Sequence, residues 1–361
     1  DSALRIAVAM SGGVDSLRTA LLLQEQGHQV FGLHMRLLPS YDDADVIGEI
    51  IAKREDLLYS LADSCSIPLT TVDLRAQFDA LVISPFVEAY RQGMTPNPCI
   101  FCNPLVKFGI LLNEALKLGA ERLATGHYAR IHFSEEPRPG RFQLLRATDS
   151  SKDQSYFLMG LRQEQLARAL FPLGNFSKSD ISAWAGRAGL SSLISEESQE
   201  ICFILSGKYS DLVRRRSGQS TCPGPILDMD GNHVGDHRGI YFYTVGQRRG
   251  LGLPSTEPYY VIAIEPAINA VRVGRAKDLL CSRFTVSNLN WVSIEQPEGP
   301  ITCEVRIRNQ HRPAPAQVTL CPGNTASVQL IEPQRAVTPG QAAVFYSGDL
   351  LLGGGIIALT G

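Results

Sequence analysis

Three cysteines carry the first chemical signal. Cys99 and Cys102 stand three apart in the proline-bounded string Pro96-Asn97-Pro98-Cys99-Ile100-Phe101-Cys102-Asn103, and Cys202 lies a hundred residues on, in Ser198-Gln199-Glu200-Ile201-Cys202-Phe203. A thiolate is both a strong nucleophile and a soft metal ligand. The pair therefore suits zinc, a redox disulfide, an iron–sulfur cluster or sulfur chemistry on a substrate. Zinc wants a fourth ligand, and no partner Cys-x-x-Cys is present to complete a set. The prolines stiffen the backbone around the pair, which suits a loop that presents a reactive thiol. Cys65, Cys222, Cys281, Cys303 and Cys321 read as small buried or half-exposed residues. Eight cysteines at irregular spacing fit a reducing compartment better than a disulfide scaffold.

A second constellation is Met10-Ser11-Gly12-Gly13-Val14-Asp15-Ser16. Two glycines let backbone N–H groups come close to an anion, the serines add hydroxyl donors, and a following helix start favours negative charge. The string makes a phosphate cradle. It lacks the lysine of the Gly-x4-Gly-Lys-Ser/Thr loop, and it does not match the dinucleotide pattern Gly-x-Gly-x-x-Gly. The plainer alternative is a tight strand-to-helix turn capped by Asp15 or Ser16.

Elements must position these groups. Residues 5–10 form a short apolar run of the kind buried in a parallel sheet, and helix formers from Ser16 to Gln26 end at Gly27. Another apolar run spans 29–35, followed by a helical region around 44–64, the strand-like 69–73, helical 78–92 and 104–118, and strand-like 122–126. This alternation predicts an α/β fold with a doubly wound parallel sheet. Residues 129–133 and 142–146 then read as a hairpin, and helical segments return at 161–170 and 177–189. From about 222, short β-prone runs between Gly, Pro and Asp turns predict small β-rich modules. The expected domains are 1–205 (the α/β domain carrying the glycine loop and the thiols), 206–279 (central β-rich) and 280–361 (C-terminal β-barrel).

With 361 residues and 44% hydrophobic composition, the chain can bury more than one core. No uninterrupted apolar run reads as a membrane span and no secretory leader is visible, so no membrane partner and a cytoplasmic location are expected. A net charge of −2 gives no global pull towards polyanions. Nucleic acid would have to meet local patches: Arg214-Arg215-Arg216, Gln247-Arg248-Arg249, or Arg306, Arg308, His311 and Arg312. Each patch alone also reads as a solvated charged face.

The strings above, with Thr125-Gly126-His127-Tyr128-Ala129-Arg130, Lys152-Asp153-Gln154-Ser155-Tyr156-Phe157-Leu158 and Gly246-Gln247-Arg248-Arg249-Gly250-Leu251-Gly252, resemble the tRNA-specific 2-thiouridylases (the MnmA/TrmU family) of the PP-loop ATP pyrophosphatase superfamily. The resemblance runs from Arg5 to the C-terminal β region. It implies ATP contacts at Ala9, Met10, Ser11, Gly12, Gly13, Val14, Asp15, Ser16, Met35 and Gly126, with Asp15 helping to hold Mg2+. On residues alone, Met35 would read as an ordinary core methionine.

The implied reaction is O-adenylation of the wobble uridine of tRNA, followed by transfer of sulfur from a persulfide on Cys202. Cys102 is the implied nucleophile. A Cys102–Cys202 disulfide results, and a thiol reductant resets it. A sulfur-relay protein is the implied donor. Cys99 stands where many members carry Asp, so Cys99, Cys102 and Cys202 holding an iron–sulfur cluster is the alternative route, placed second. The resemblance also implies tRNA contacts at Asn97, Pro98, His127, Lys152, Asp153, Gln154, Arg308, Asn309 and Gln341. Members commonly carry an aromatic where Asn309 stands and a basic residue where Pro104 stands, and residues 36–64 match the pattern poorly. Two rival readings share these residues: a PP-loop sulfurtransferase for another tRNA position or acceptor, and a tRNA-binding protein whose catalysis has lapsed.

Overall fold

The computed structural model describes residues 3–38, 44–136, 138–190, 201–205, 207–218 and 222–358, with the backbone alone for 44–47. The first motif strings fold as their periodicity predicts. β1 (Arg5–Ala9) runs into the glycine loop and then α1 (Val14–Glu25), followed by β2 (Gln29–Arg36), α2 (Ala44–Ser64) and β3 (Leu69–Asp73). After two more helical stretches come β4 (Arg122–Ala124), the hairpin β5 (Ala129–Ser134) and β6 (Arg141–Arg146), and β7 (Ala169–Leu170). Strands β3-β2-β1-β4-β7 form one sheet, parallel throughout.

Alternate side chains of β1 enter two different cores. Ala7 packs on one face with Leu33, Leu123 and Phe78. Ile6 and Val8 pack on the other with Val14, Leu17 and Ala124. Burial on both faces is what a doubly wound sheet requires. The strand order reverses direction at β1, so the loops after β1 and β4 flank a switch point, where open α/β sheets bind ligands.

Three of the expected helices change on folding, the one at 104–118 by starting at Pro98 and widening to π-helical turns over Asn103–Leu111. The stretch 75–91 is continuous but widens to π-helical turns over Asp79–Ile83. Residues 161–170, expected as helix, hold only the short turn Gln163–Leu166 before β7, because Ala169 and Leu170 pair with Leu123 and Ala124 at the sheet edge. The helix Pro98–Lys117, with mean hydropathy 1.4, is long and apolar enough to cross a bilayer by length and composition, which corrects the expectation that no run qualifies. In this fold it is a core helix, with Ile100, Val106, Phe108, Leu111 and Ala115 buried against the sheet.

The central segment forms a sheet of β8 (Gly224–Leu227), β9 (His233–His237), β10 (Tyr260–Glu265) and β11 (Ala270–Gly274) in the order β10-β11-β8-β9. The C-terminal segment forms β12 (Leu280–Trp291), β13 (Ile301–Arg306), β14 (Ala314–Cys321), β15 (Thr325–Arg335), β16 (Ala342–Ser347) and β17 (Leu350–Ile357). Pairing of β12 with β17 closes these six strands into a barrel. Inward Val305, Ala316, Val318, Val328 and Phe345 fill it, alternating with outward residues as a barrel demands. The hairpin β5–β6 adds to this barrel rather than to the parallel sheet, through Leu144 opposite Leu351 and Leu145 opposite Leu350. Leu144 N–H also donates to Ser293 Oγ at 2.8 Å, and Gln163 Nε2 donates to Val292 O at 2.7 Å.

Candidate active site

The glycine loop is pre-shaped before any ligand arrives. Gly12 has φ +84°, a left-handed value that glycine adopts without strain. Ser16 Oγ donates to Gly13 O at 2.9 Å and accepts from Ser11 N–H at 3.3 Å, so both serines are fixed at the mouth of α1. Gly126, on the loop after β4, lies against the same helix start. A Cβ there would meet Asp15 C at 3.0 Å and Asp15 Cβ at 3.1 Å, so only glycine lets the two loops touch.

Asp15 is held firmly. Lys178 Nζ donates to its Oδ2 at 2.8 Å and its Oδ1 at 3.0 Å, and Tyr128 OH donates to Oδ1 at 2.8 Å. The sequence points to Asp15 as a Mg2+ ligand. A carboxylate whose oxygens already face an ammonium and a phenol does not fit that role as placed here.

The thiols sit on two anchored segments. Asn97 caps the helix Pro98–Lys117 by accepting from Cys99 N–H at 3.2 Å, and Pro98 occupies the first turn, where its missing N–H costs nothing. Asn97 and Pro98 thus shape the cysteine loop itself. Cys202 lies in the turn 201–204, pinned by its neighbour Phe203, which packs edge-on to Phe78 and Phe86 with ring centroids 5.8 and 5.2 Å away. The preceding Ser198, Gln199 and Glu200 of that motif lie outside the described residues. Cys102 is buried, whereas Cys99 and Cys202 are exposed.

Burial pushes the Cys202 thiol up to about 12, and the neighbouring Cys99 and Cys102 push in the same direction. Burial raises Cys99 and Cys102 as well, while the Lys107 ammonium pulls all three down. The three thiols are therefore electrostatic neighbours with one nearby cation. Among the described residues, however, no group of three His, Cys, Asp or Glu side chains stands ready to hold a metal ion, so the cysteines as placed do not fit the iron–sulfur alternative.

One cavity of about 650 Å3 joins these parts. Its lining includes Ala9, Met10, Ser11, Asp15 and Ser16 of the loop, Met35, Gly126, His127, Gln154, Lys107 and Cys202. The divergent segment 36–64 also lines it, through Arg36, Leu37, Leu38, Gly48, Ile51, Ala52, Arg54 and Glu55. There Arg36 grips Glu55 with two hydrogen bonds of 2.8 and 2.6 Å, which holds the Glu55 carboxyl below its ordinary range. His127 is sunk in the protein, with Nδ1 2.6 Å from Thr125 Oγ1; burial, then Lys107, keep it neutral.

The residues singled out for tRNA divide. Gln154 faces the cavity while its Oε1 accepts from Tyr128 N–H at 3.0 Å. Lys152 is half-buried beside it. Asp153 is buried, accepting from Ala147 N–H and Ser155 N–H at 3.1 Å and from Arg306 Nη1 at 2.7 Å, which makes it a tie between the first segment and the barrel. Asn309 O accepts from Arg306 Nη2, and its Oδ1 is buried without a partner. Arg308 and Gln341 line a separate cavity of about 500 Å3 with Thr95, Thr244 and Arg335. Gln341 Nε2 donates to Thr95 O at 2.7 Å, bracing the backbone just before the cysteine loop. Sequence reasoning missed Lys107 and Lys178, each a single polar residue that no spacing rule singles out; it named Arg306 only as part of a basic patch and Tyr128 only within a motif string, whereas Arg306 pairs with Asp153 and Tyr128 bonds to Asp15.

A parallel sheet with a glycine loop at its switch point, opening into a cavity that Cys202 also lines, defines a protein of the PP-loop class. Models of three families match the chain: the tRNA methyl transferase HUP domain over 4–206, the tRNA methyl transferase PRC-barrel domain over 210–275 and the aminomethyltransferase beta-barrel domain over 281–357. The tRNA-specific 2-thiouridylase MnmA of Chloroflexus aurantiacus is 47% identical over 98% of this chain and 98% of its own length, and the MnmA of Desulforudis audaxviator is 45% identical over the same shares. The chain belongs to the tRNA-specific 2-thiouridylase family. Among solved structures, the U34-tRNA thiolase NcsA from Methanococcus maripaludis with its [4Fe-4S] cluster is similar at 18% identity and a TM-score of 0.32, covering 60% of this chain and 67% of that one, too slight a likeness to carry an argument.

Proposed function

We propose that this chain is a tRNA-uridine 2-sulfurtransferase that activates the wobble uridine with ATP and then replaces its 2-oxygen with sulfur. The observation that carries the reading is the single cavity shared by the phosphate loop and Cys202. Activation and sulfur delivery must meet at one carbon, and a common cavity lets them do so without moving the base. The names of the relatives and the thiols favour sulfur over the methyl transfer that two family descriptions mention.

In the first step the uridine O2 attacks the α-phosphorus of ATP. The new O–P bond forms as the bond to the bridging oxygen breaks, pyrophosphate leaves with the electron pair, and the N3 proton is lost. The phosphates would lie against the Gly12 turn and the start of α1, since Ser11 N–H and Gly13 N–H already donate to Ser16 Oγ and Ser11 Oγ within the loop. In the second step the terminal sulfur of a Cys202 persulfide attacks C2, and AMP leaves with the C2–O electron pair. The Cys102 thiolate then attacks Cys202 Sγ; the S–S bond breaks, its electron pair stays on the sulfur bound to C2, and N3 regains a proton. The Cys102–Cys202 disulfide formed takes two electrons from an external thiol before the next turnover. A persulfide-carrying relay protein supplies the sulfur. The three matched segments act as units with their divisions near 205 and 280: activation in the first, with the central and barrel units bearing on the tRNA.

The reading is tested with two variants and two assays. Cys202→Ser is expected to lose thiolation, read as 2-thiouridine by nucleoside mass spectrometry, while keeping tRNA-dependent ATP–pyrophosphate exchange; Asp15→Ala is expected to lose both. Exchange that ignores tRNA, or a Cys202→Ser protein that loses both steps together, would sink it.

A further inference from the structure

The glycine loop holds no lysine, so its phosphates need a cation from elsewhere. Lys107, Arg36, Arg54 and Arg75 line the same cavity, but the cation bonded to the loop's own carboxylate, Asp15, is Lys178. It is the first residue of the helix Lys178–Arg187, after Ser177, whose hydroxyl caps the helix by accepting from Asp180 N–H at 3.1 Å. Asp149 Oδ2 accepts from Lys178 N–H at 3.1 Å, which fixes the backbone from which the side chain springs. Ile181 and Ala185 of the same helix share a core with Val14 and Leu17 of α1, and Arg18 stacks on Trp184 at 4.8 Å. The lysine and the phosphate loop therefore ride on one packed unit.

Its ammonium ends 2.8 Å from Asp15 Oδ2, on the first turn of the helix that follows the loop, with the pair 19% and 27% exposed. Asp15 itself is an anion at an anion site. In the empty enzyme Lys178 answers its charge. Asp15 also lines the cavity and Lys178 does not, so the ammonium rests one side chain back from the space that the phosphates must enter.

We infer that Lys178 is the cation of this phosphate loop: it rests on Asp15 in the empty enzyme and turns to the β- and γ-phosphates when ATP binds, where it stabilises the departing pyrophosphate. The charge that appears on the bridging oxygen as the O–P bond breaks then has an ammonium donor beside it. Lys178 is accordingly a catalytic residue that touches substrate, while Tyr128 keeps Asp15 in place when the lysine leaves.

This inference rests on the ATP reading of the loop, and one set of measurements separates the two. Binding of AMP, of an ATP analogue with a methylene between its α- and β-phosphates, and of inorganic pyrophosphate is measured by calorimetry on the full chain, alongside tRNA-dependent ATP–pyrophosphate exchange. Lys178→Met is expected to bind AMP within about twofold of the parent, to bind the analogue and pyrophosphate at least roughly tenfold more weakly, and to lose about a hundredfold in the exchange kcat. Lys178→Arg keeps the charge and is expected to hold pyrophosphate within about threefold.

Equal weakening of all three ligands, or none, overturns the inference. So does recovery of pyrophosphate binding in Lys178→Met with Asp15→Asn, because a lysine that merely neutralises Asp15 becomes dispensable once that charge is gone. A loss in Lys178→Arg as deep as in Lys178→Met, in a protein that still binds AMP, also overturns it. Failure of the parent itself to bind any of the ligands would instead sink the ATP reading.

Discussion

Asp153→Ala is the sharpest test of whether the Lys152-Asp153-Gln154 string meets RNA through all three residues. The Asp153 side chain is 2% exposed and its partner Arg306 is 11% exposed, with 2.7 Å between Nη1 and Oδ2. Oδ1 accepts two backbone amides at 3.1 Å, and Oδ2 also accepts from Ser155 Oγ at 3.0 Å. Truncation strands a buried guanidinium and two amides together. Breaking a buried ion pair by removing one partner costs about 3–5 kcal/mol, and the lost amide bonds belong to the same network, so they do not add in full. We therefore expect Asp153→Ala to lose about 3–5 kcal/mol of stability. The double variant Asp153→Ala with Arg306→Met should regain part of it, because no buried cation remains. Urea unfolding followed by fluorescence is well placed to read this, since one of the two tryptophans, Trp184, reports on the nucleotide segment and the other, Trp291, on the barrel. An Asp153→Ala protein that unfolds within about 1 kcal/mol of the parent but binds tRNA far more weakly would refute the reasoning.

Two further predictions concern the cavity. Gly126→Ala forces a methyl to 3.0–3.2 Å from the Asp15 and Ser16 backbone; strain of this kind costs about 1–3 kcal/mol, so ATP affinity should fall roughly tenfold or more with tRNA affinity unchanged, and an unaltered ATP affinity would count against it. Because burial holds Cys202 at about 12, its alkylation by iodoacetamide near neutral pH should be much slower than that of a free thiol and should climb roughly tenfold per pH unit. Removing the downward pull of Lys107 with Lys107→Met should slow it further, and a faster or pH-independent reaction would contradict the electrostatics.

The parallel sheet was legible because its strands are short apolar runs between helices, and β1, β2, β3 and the hairpin appear within a residue or two of their expected bounds. Residues 161–170 were misread because leucines and alanines with helical propensity ended in a two-residue edge strand, where tertiary pairing outweighs local preference. The cysteines and the glycine loop stood out because their chemistry is local and their spacing rare. Lys178 and Asp15 were not linked for the opposite reason: they are 163 positions apart and meet only after α1 packs on a later helix. Gln341 and Asp153 read as RNA contacts by resemblance, yet each bonds firmly inside the protein, a role visible only once the barrel has closed on the first segment.

The hairpin β5–β6 leaves the first segment directly after Tyr128, whose hydroxyl touches Asp15, and its second strand, β6, joins the barrel through β17, with β5 at the edge. A version trimmed to the first segment alone would lay bare the amides and carbonyls of β6, a sticky ribbon that invites self-association. The same ribbon is a covalent strut: a load on the barrel is passed, one residue away, to the side chain that steadies the glycine loop.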